Sequence, residues 1–138
     1  MVNVIDMEDI RHLNLFSKVT GINTRYCFNY NEAIFFCVPQ RLISKAVGEN
    51  GKNVKQISSI VKRKIKIIPN PMDISDAKKF ISSIVSPVTF QNLEIKEDEI
   101  ILTAGSQSKA ALIGRNKRRL LEMQKIVRNF FKKDFKII

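Results

Sequence analysis

Val47-Gly48-Glu49-Asn50-Gly51-Lys52-Asn53-Val54 is the stretch on which the fold turns. Two glycines three residues apart let a chain bend tightly and bring bare backbone close to a ligand, because neither carries a side chain. On the C-terminal side, apolar residues at 54, 57, 60 and 61 form one helical stripe, which predicts a helix over about 52–62. On the N-terminal side, Pro39 ends an apolar run and can open a helix over about 40–47. The glycines therefore join two short helices. The second helix aims its free N–H groups and the positive end of its dipole at the loop, which makes a phosphate site. Lys52 and Lys55 stand in or near its first turn, where a cation opposes the dipole, so they make better sense as ligand contacts than as stabilisers.

Outward from the loop, the chain repeats. Shifted by 66 residues, Ile34-Phe35-Phe36-Cys37-Val38 falls on Ile100-Ile101-Leu102-Thr103-Ala104, and Gly48-Glu49-Asn50-Gly51 falls on Gly114-Arg115-Asn116-Lys117. Val54, Ile57, Ile60 and Val61 fall on Leu120, Met123, Ile126 and Val127; after a four-residue insertion Ile65–Ile68 meets Phe135–Ile138. Each copy reads helix, strand, strand, helix, helix, strand. The first has a helix over 7–19 with Asp6 as N-cap, strands over 24–30 and 33–38 around the polar turn 29–32, and a closing strand over 65–68. The second has a helix over 75–85 capped by Ser75 or Asp73, strands over 88–95 and 100–104 around the acidic turn Glu97-Asp98-Glu99, helices over 107–113 and 118–131, and a last strand over 135–138. Pro69-Asn70-Pro71 resists continuation of strand or helix and separates a first domain, 1–69, from a second, 70–138.

Charge follows the repeat. The 138-residue chain carries a net +11, with 44% hydrophobic and 27% charged residues. Residues 41–66 hold a net +7 and residues 109–133 a net +8, which leaves −4 for the remainder. Two basic blocks on a mildly acidic body fit a polyanionic partner, nucleic acid above all. Arg115, Lys117, Arg118 and Arg119 crowd the second loop, either as phosphate contacts or as a solvated helix start. Asn50 and Asn116 hold the same loop position, which suits either a ligand contact or a turn-former tolerant of left-handed geometry. Phe35, Phe36, Phe130 and Phe131 lie in core-like stretches and read as packing.

The G-x-x-G loop between two helices, after a strand pair and before a strand, resembles the signature of KH domains, whose loop clamps an RNA backbone. The leading helix resembles the type II form of that fold, and two such units in one short chain look like the archaeal NusA-family transcription factors. The resemblance implies an α+β fold of two tandem type II KH domains, each α-β-β-α-α-β, with three-stranded sheets carrying helices on one face. It also implies single-stranded RNA as partner, RNA polymerase as a further one, and a role in transcription elongation or termination. Carried over by position, the contacts are Gly48, Glu49, Asn50, Gly51, Lys52 and Lys55 in the first unit and Gly114, Arg115, Asn116, Lys117, Arg118 and Arg119 in the second. Two positions depart from the pattern: Glu49 puts an acid where a basic residue is usual, and Lys117 replaces the second glycine.

Other classes are set aside on chemistry. The only histidine is His12, and Cys27 and Cys37 lack C-x-x-C spacing, so neither a structural metal site nor a cofactor is expected. The lone histidine and the placing of carboxylates at hairpin tips and helix starts argue against an enzyme. No apolar run approaches the ~18 residues of a membrane span, and the acidic start does not resemble a secretory signal. The expectation is a cytoplasmic monomer. The competing function is a ribosome-associated or assembly factor that docks on another protein.

Overall fold

The structure, a computed structural model, describes residues 7–138; Asp6, the expected cap of the first helix, lies outside the described residues. Two compact units divide the chain after Pro71.

The first unit begins with α1 (Met7–Thr20), whose first turn carries Glu8 and Asp9 and whose last turn carries Lys18, both favourable to the helix dipole. Gly21, at φ 74°, ends it by donating to Ser17 O at 2.8 Å. Strands β1 (Tyr26–Tyr30) and β2 (Ala33–Val38) form a hairpin. Its two-residue turn places both Asn31 (φ 49°) and Glu32 (φ 63°) in the left-handed region, which matches the strand twist. After β2 come a 3-10 turn (Gln40–Leu42), α2 (Ile43–Val47), α3 (Lys52–Val61) and β3 (Lys64–Pro69). Strand β2 is central, antiparallel to β1 and parallel to β3, with Ile34 opposite Ile65 and Phe36 opposite Ile67. Parallel neighbours require a crossover, and here the crossover is the pair α2 and α3 with the glycine loop between them. Strand β3 runs on to Pro69, opposite Val38, one residue past the expected stop. An edge strand tolerates a proline whose missing N–H faces away from the ladder.

All six residues of β2 are buried. Ile34, Phe36 and Val38 share a core with Phe16, Ile22, Cys27, Ala46, Ile57 and Ile65, so α1, α2 and α3 all contribute to that face. The Phe16 and Phe36 rings stack with centroids 4.5 Å apart. On the opposite face Phe35 stacks on Phe28 at 5.2 Å, and the Lys66 ammonium lies 5.5 Å from the Phe35 ring centroid. Burial pushes the Cys37 thiol well above its ordinary range, and neighbouring Cys27 adds to this.

The second unit follows the same plan. Asp73 accepts from Ser75 N at 2.9 Å and from Ser75 Oγ, starting a 3-10 turn (Ile74–Asp76) that leads into α4 (Ala77–Val85). Then come β4 (Asn92–Ile95), β5 (Glu99–Thr103), α5 (Ser106–Ile113), α6 (Arg118–Phe131) and β6 (Asp134–Ile137). Strand β5 is central, antiparallel to β4 and parallel to β6. Phe80 of α4 meets Phe130 at 4.8 Å and Phe131 at 5.9 Å; Phe80 and Phe130 are buried, and half-buried Phe131 packs at their edge. The strand expected over 88–95 begins only at Asn92. The chain first completes a turn after α4, with Val88 N donating to Val85 O at 3.0 Å, and Pro87 offers no N–H to a ladder. Both long crossover helices end alike: Lys62 (φ 57°) donates to Ser58 O and Lys132 (φ 56°) to Arg128 O.

The Phe16–Phe36 stack ties α1 to the central strand. Phe36→Ala is expected to destabilise the protein by about 3–5 kcal/mol, read as a shift of the urea unfolding midpoint at constant slope; a change under ~1 kcal/mol would mean that the stack is not what holds α1.

Candidate nucleic-acid interface

The two glycine loops adopt one conformation. Gly48 has φ 80°, ψ 167° and Gly114 has φ 76°, ψ 174°, a region essentially reserved for glycine. Asn50 and Asn116 both have φ 56°, ψ 28°, in the left-handed region that asparagine tolerates. Gly51 follows at φ 73°, ψ 20°, and Lys117 at φ 60°, ψ 22°. The hydrogen bonds match as well: Gly48 N donates to Ser44 O and Gly51 N to Gly48 O, while Gly114 N donates to Ala110 O and Lys117 N to Gly114 O. Lysine thus holds a left-handed conformation where its counterpart is glycine.

The glycines of each loop differ in what they require. A Cβ on Gly48 would lie 3.0 Å from Asn53 Cγ and 3.1 Å from Asn53 N. One on Gly114 would lie 2.9 Å from Arg119 Cγ and 3.2 Å from Arg119 N. The first glycine is therefore needed for both its torsion and its space. A Cβ on Gly51 meets nothing nearer than Lys55 Cε at 3.9 Å, so that site asks only for the torsion. This is why Lys117 can take the second glycine's place without rebuilding the loop.

Asn53 and Arg119 brace the loops. Asn53 Nδ2 donates to Lys45 O at 3.2 Å, and Arg119, its counterpart 66 residues on, donates from a guanidinium N–H to Ala111 O at 2.9 Å. Each strut crosses from the second helix to a late carbonyl of the first, which otherwise lacks an intrahelical donor. Arg119 is half-buried and engaged in this bond, whereas Arg115, Asn116, Lys117 and Arg118 are exposed. In the first loop Glu49, Asn50, Lys52 and Lys55 are exposed, and Gly48 and Gly51 are half-buried. Asn53 was not singled out in the sequence. Its only signal is its repeat position, and it shares no chemistry with Arg119 beyond a side-chain N–H.

Neither α3 nor α6 has a side-chain cap at its N-terminus. Their first-turn N–H groups and positive dipole ends accordingly face the loops uncompensated by an acid. Residues 48–55 carry Glu49 against two lysines, while residues 114–121 carry four cations and no acid. Beside the second loop's helix, Gln124, Lys125 and Arg128 of α6 and Asp134 and Phe135 of β6 line an open cleft of about 430 Å³. Arg128 pairs with Asp134, and Gln124 Nε2 donates to Phe135 O at 3.1 Å, fixing the cleft's two walls. These cleft residues were not anticipated, because only the packing of α6 on β6 brings them together.

Substitution separates torsion from space. Gly51→Ala is expected to cost about 1 kcal/mol, the strain of a left-handed alanine. Gly48→Ala is expected to cost more than about 2 kcal/mol, since a clash adds to the strain. Lys117→Gly should stabilise by up to about 1 kcal/mol. Urea unfolding of the three variants checks the ranking; equal losses at Gly48 and Gly51 would contradict it.

No family model matches the sequence. The chain is 32% identical over 93 residues to a protein of Methanococcus vannielii named probable transcription termination protein NusA, a match covering 67% of this chain and 52% of that one. Proteins of the same name from Halococcus morrhuae and Methanocaldococcus jannaschii are 26% and 27% identical over 89 residues, covering 62% and 47% of their lengths. The chain thus spans about half to three-fifths of the length of the curated relatives it matches. The crystal structure of APE1850 superposes with a TM-score of 0.68 over 97% of this chain and 99% of that one at 16% identity, a likeness of fold. The named relatives, with identities in this range across about two-thirds of the sequence, place the chain in the archaeal NusA family.

Proposed function

We propose that each unit is a type II KH domain and that the chain binds single-stranded RNA through its two glycine loops, as a NusA-like factor acting on nascent transcripts in elongation or termination. The observation that carries this reading is the identity of the two loop conformations, including the left-handed Lys117. A strained lysine in a surface turn is uphill, and a turn with no ligand could relax it by sequence drift to glycine or asparagine. At a phosphate site the same lysine adds a cation beside exposed N–H groups.

In this reading, phosphates sit on the loop backbone and on the first turns of α3 and α6, while unpaired bases lie against the helix and the edge strand. The roles differ between units. The first loop grips through bare backbone at Gly48 and Gly51 with help from Lys52 and Lys55, and Glu49 points away from the strand of phosphates. The second substitutes charge for backbone access, through Arg115, Lys117 and Arg118, while Arg119 braces the turn. Binding involves no chemical step, so the protein is not an enzyme in this account. RNA polymerase enters as a partner through family membership, which also supports a cytoplasmic setting. The domain boundary lies near 69–71.

The test is affinity for a short unstructured oligoribonucleotide at two salt concentrations. About six phosphate contacts should give a log–log salt slope of about −4. Glu49→Asp with Asn50→Asp should weaken binding about tenfold or more, or ~1.4 kcal/mol, with the circular dichroism spectrum unchanged. Arg115→Gln with Arg118→Gln should flatten the slope by about 1.4, two contacts' share. Salt-insensitive binding, or a protein partner retained after nuclease and high salt with no RNA affinity, would favour the docking module instead.

A further inference from the structure

Asp9 and His12 lie three residues apart on α1, and so share one face of the helix. Cys27 of β1 comes up against that face. One ligating atom from each, a carboxylate oxygen, an imidazole nitrogen and the thiol sulfur, lie within 4.8 Å of one another. The Cys27 thiol reaches Asp9 O at 3.7 Å and Asp9 Oδ1 at 3.8 Å. His12 is only 9% exposed, and its Nδ1 is a buried polar atom with no hydrogen-bond partner. Buried polar groups normally find partners, and an exception points to an ion, a water or a catalytic role.

We propose that Asp9, His12 and Cys27 bind a zinc ion that pins α1 to β1. Sulfur, imidazole and carboxylate together suit a borderline-soft ion and do not suit magnesium or calcium, which take oxygen ligands. Donors around a tetrahedral zinc stand roughly 3.5 Å apart. The three donor atoms, within 4.8 Å of one another, stand near that spacing, and half-exposed Asp9 leaves the fourth position open to water. On binding, Cys27 releases its thiol proton to solvent and ligates as the thiolate, while His12 ligates as the neutral imidazole. Cys37 is no competitor: it lies on the opposite face of the sheet, buried, with its thiol held protonated. The site shares no residue with either glycine loop and does not depend on the RNA-binding reading.

The full chain, stripped with chelator, is titrated with zinc, cobalt and magnesium. One zinc per chain is expected, with a rise in Tm that magnesium does not reproduce and a sulfur-to-cobalt charge-transfer band in the cobalt form. Cys27→Ala and His12→Gln should each weaken zinc binding about tenfold or more, and Cys37→Ala should leave stoichiometry and band intact. The cobalt band is read on the parent protein, so the test survives a variant that folds poorly. No band in the parent, or a band lost with Cys37→Ala and kept with Cys27→Ala, overturns the proposal.

Discussion

A glycine with no room for a Cβ governs each unit. Gly48 lies against Asn53 and Gly114 against Arg119, so the chain reverses where a Cβ would crowd the first turn of the next helix. That reversal lets two short helices bridge parallel strands within a crossover of some 25 residues in the first unit, from Val38 to Lys64. It also fixes where α3 and α6 begin and where their free N–H groups point. If a loop opened, the crossover helices of its unit would lose their register on the central strand, and the helix N-terminus would no longer be held against the loop. The fold and the candidate interface thus rest on one steric condition, met twice.

The struts show how the condition is kept with unlike residues. An amide in the first unit and a guanidinium in the second reach the equivalent carbonyl, Lys45 O and Ala111 O. Each relieves a helix-end carbonyl that would lack a donor. The second loop combines this with a lysine in left-handed geometry, so the residue at that position, the brace and the charge all differ while the backbone path is the same. Such divergence leaves the first loop nearly neutral and the second strongly basic. In the proposed reading, that asymmetry gives backbone contact to the first loop and electrostatic contact to the second.

Much of this was legible in the sequence because it is periodic. The run Ala33–Val38 is apolar throughout and forms one strand with both faces buried, and the 66-residue shift places both loops correctly. Strand β4 starts later than its composition suggests, because Val88–Phe90 has strand-like residues but follows the turn that closes α4. The bracing role was invisible for a different reason: Asn53 and Arg119 share only geometry, and Arg119 reads in the sequence as a phosphate contact. The cluster of Asp9, His12 and Cys27 could not be found by ligand counting, since Cys27 stands fifteen positions beyond His12 and joins it only when α1 packs on β1. The helical spacing of Asp9 and His12 was the one available sign.

Amide chemical shifts followed while a short single-stranded oligoribonucleotide is added test the central claim most directly. The account predicts that the largest changes fall in residues 48–55 and 114–121, with smaller ones along Gln124–Arg128 and little at the hairpin turns 31–32 and 97–98. Changes concentrated at the hairpin turns, with both glycine loops silent at saturation, would contradict it.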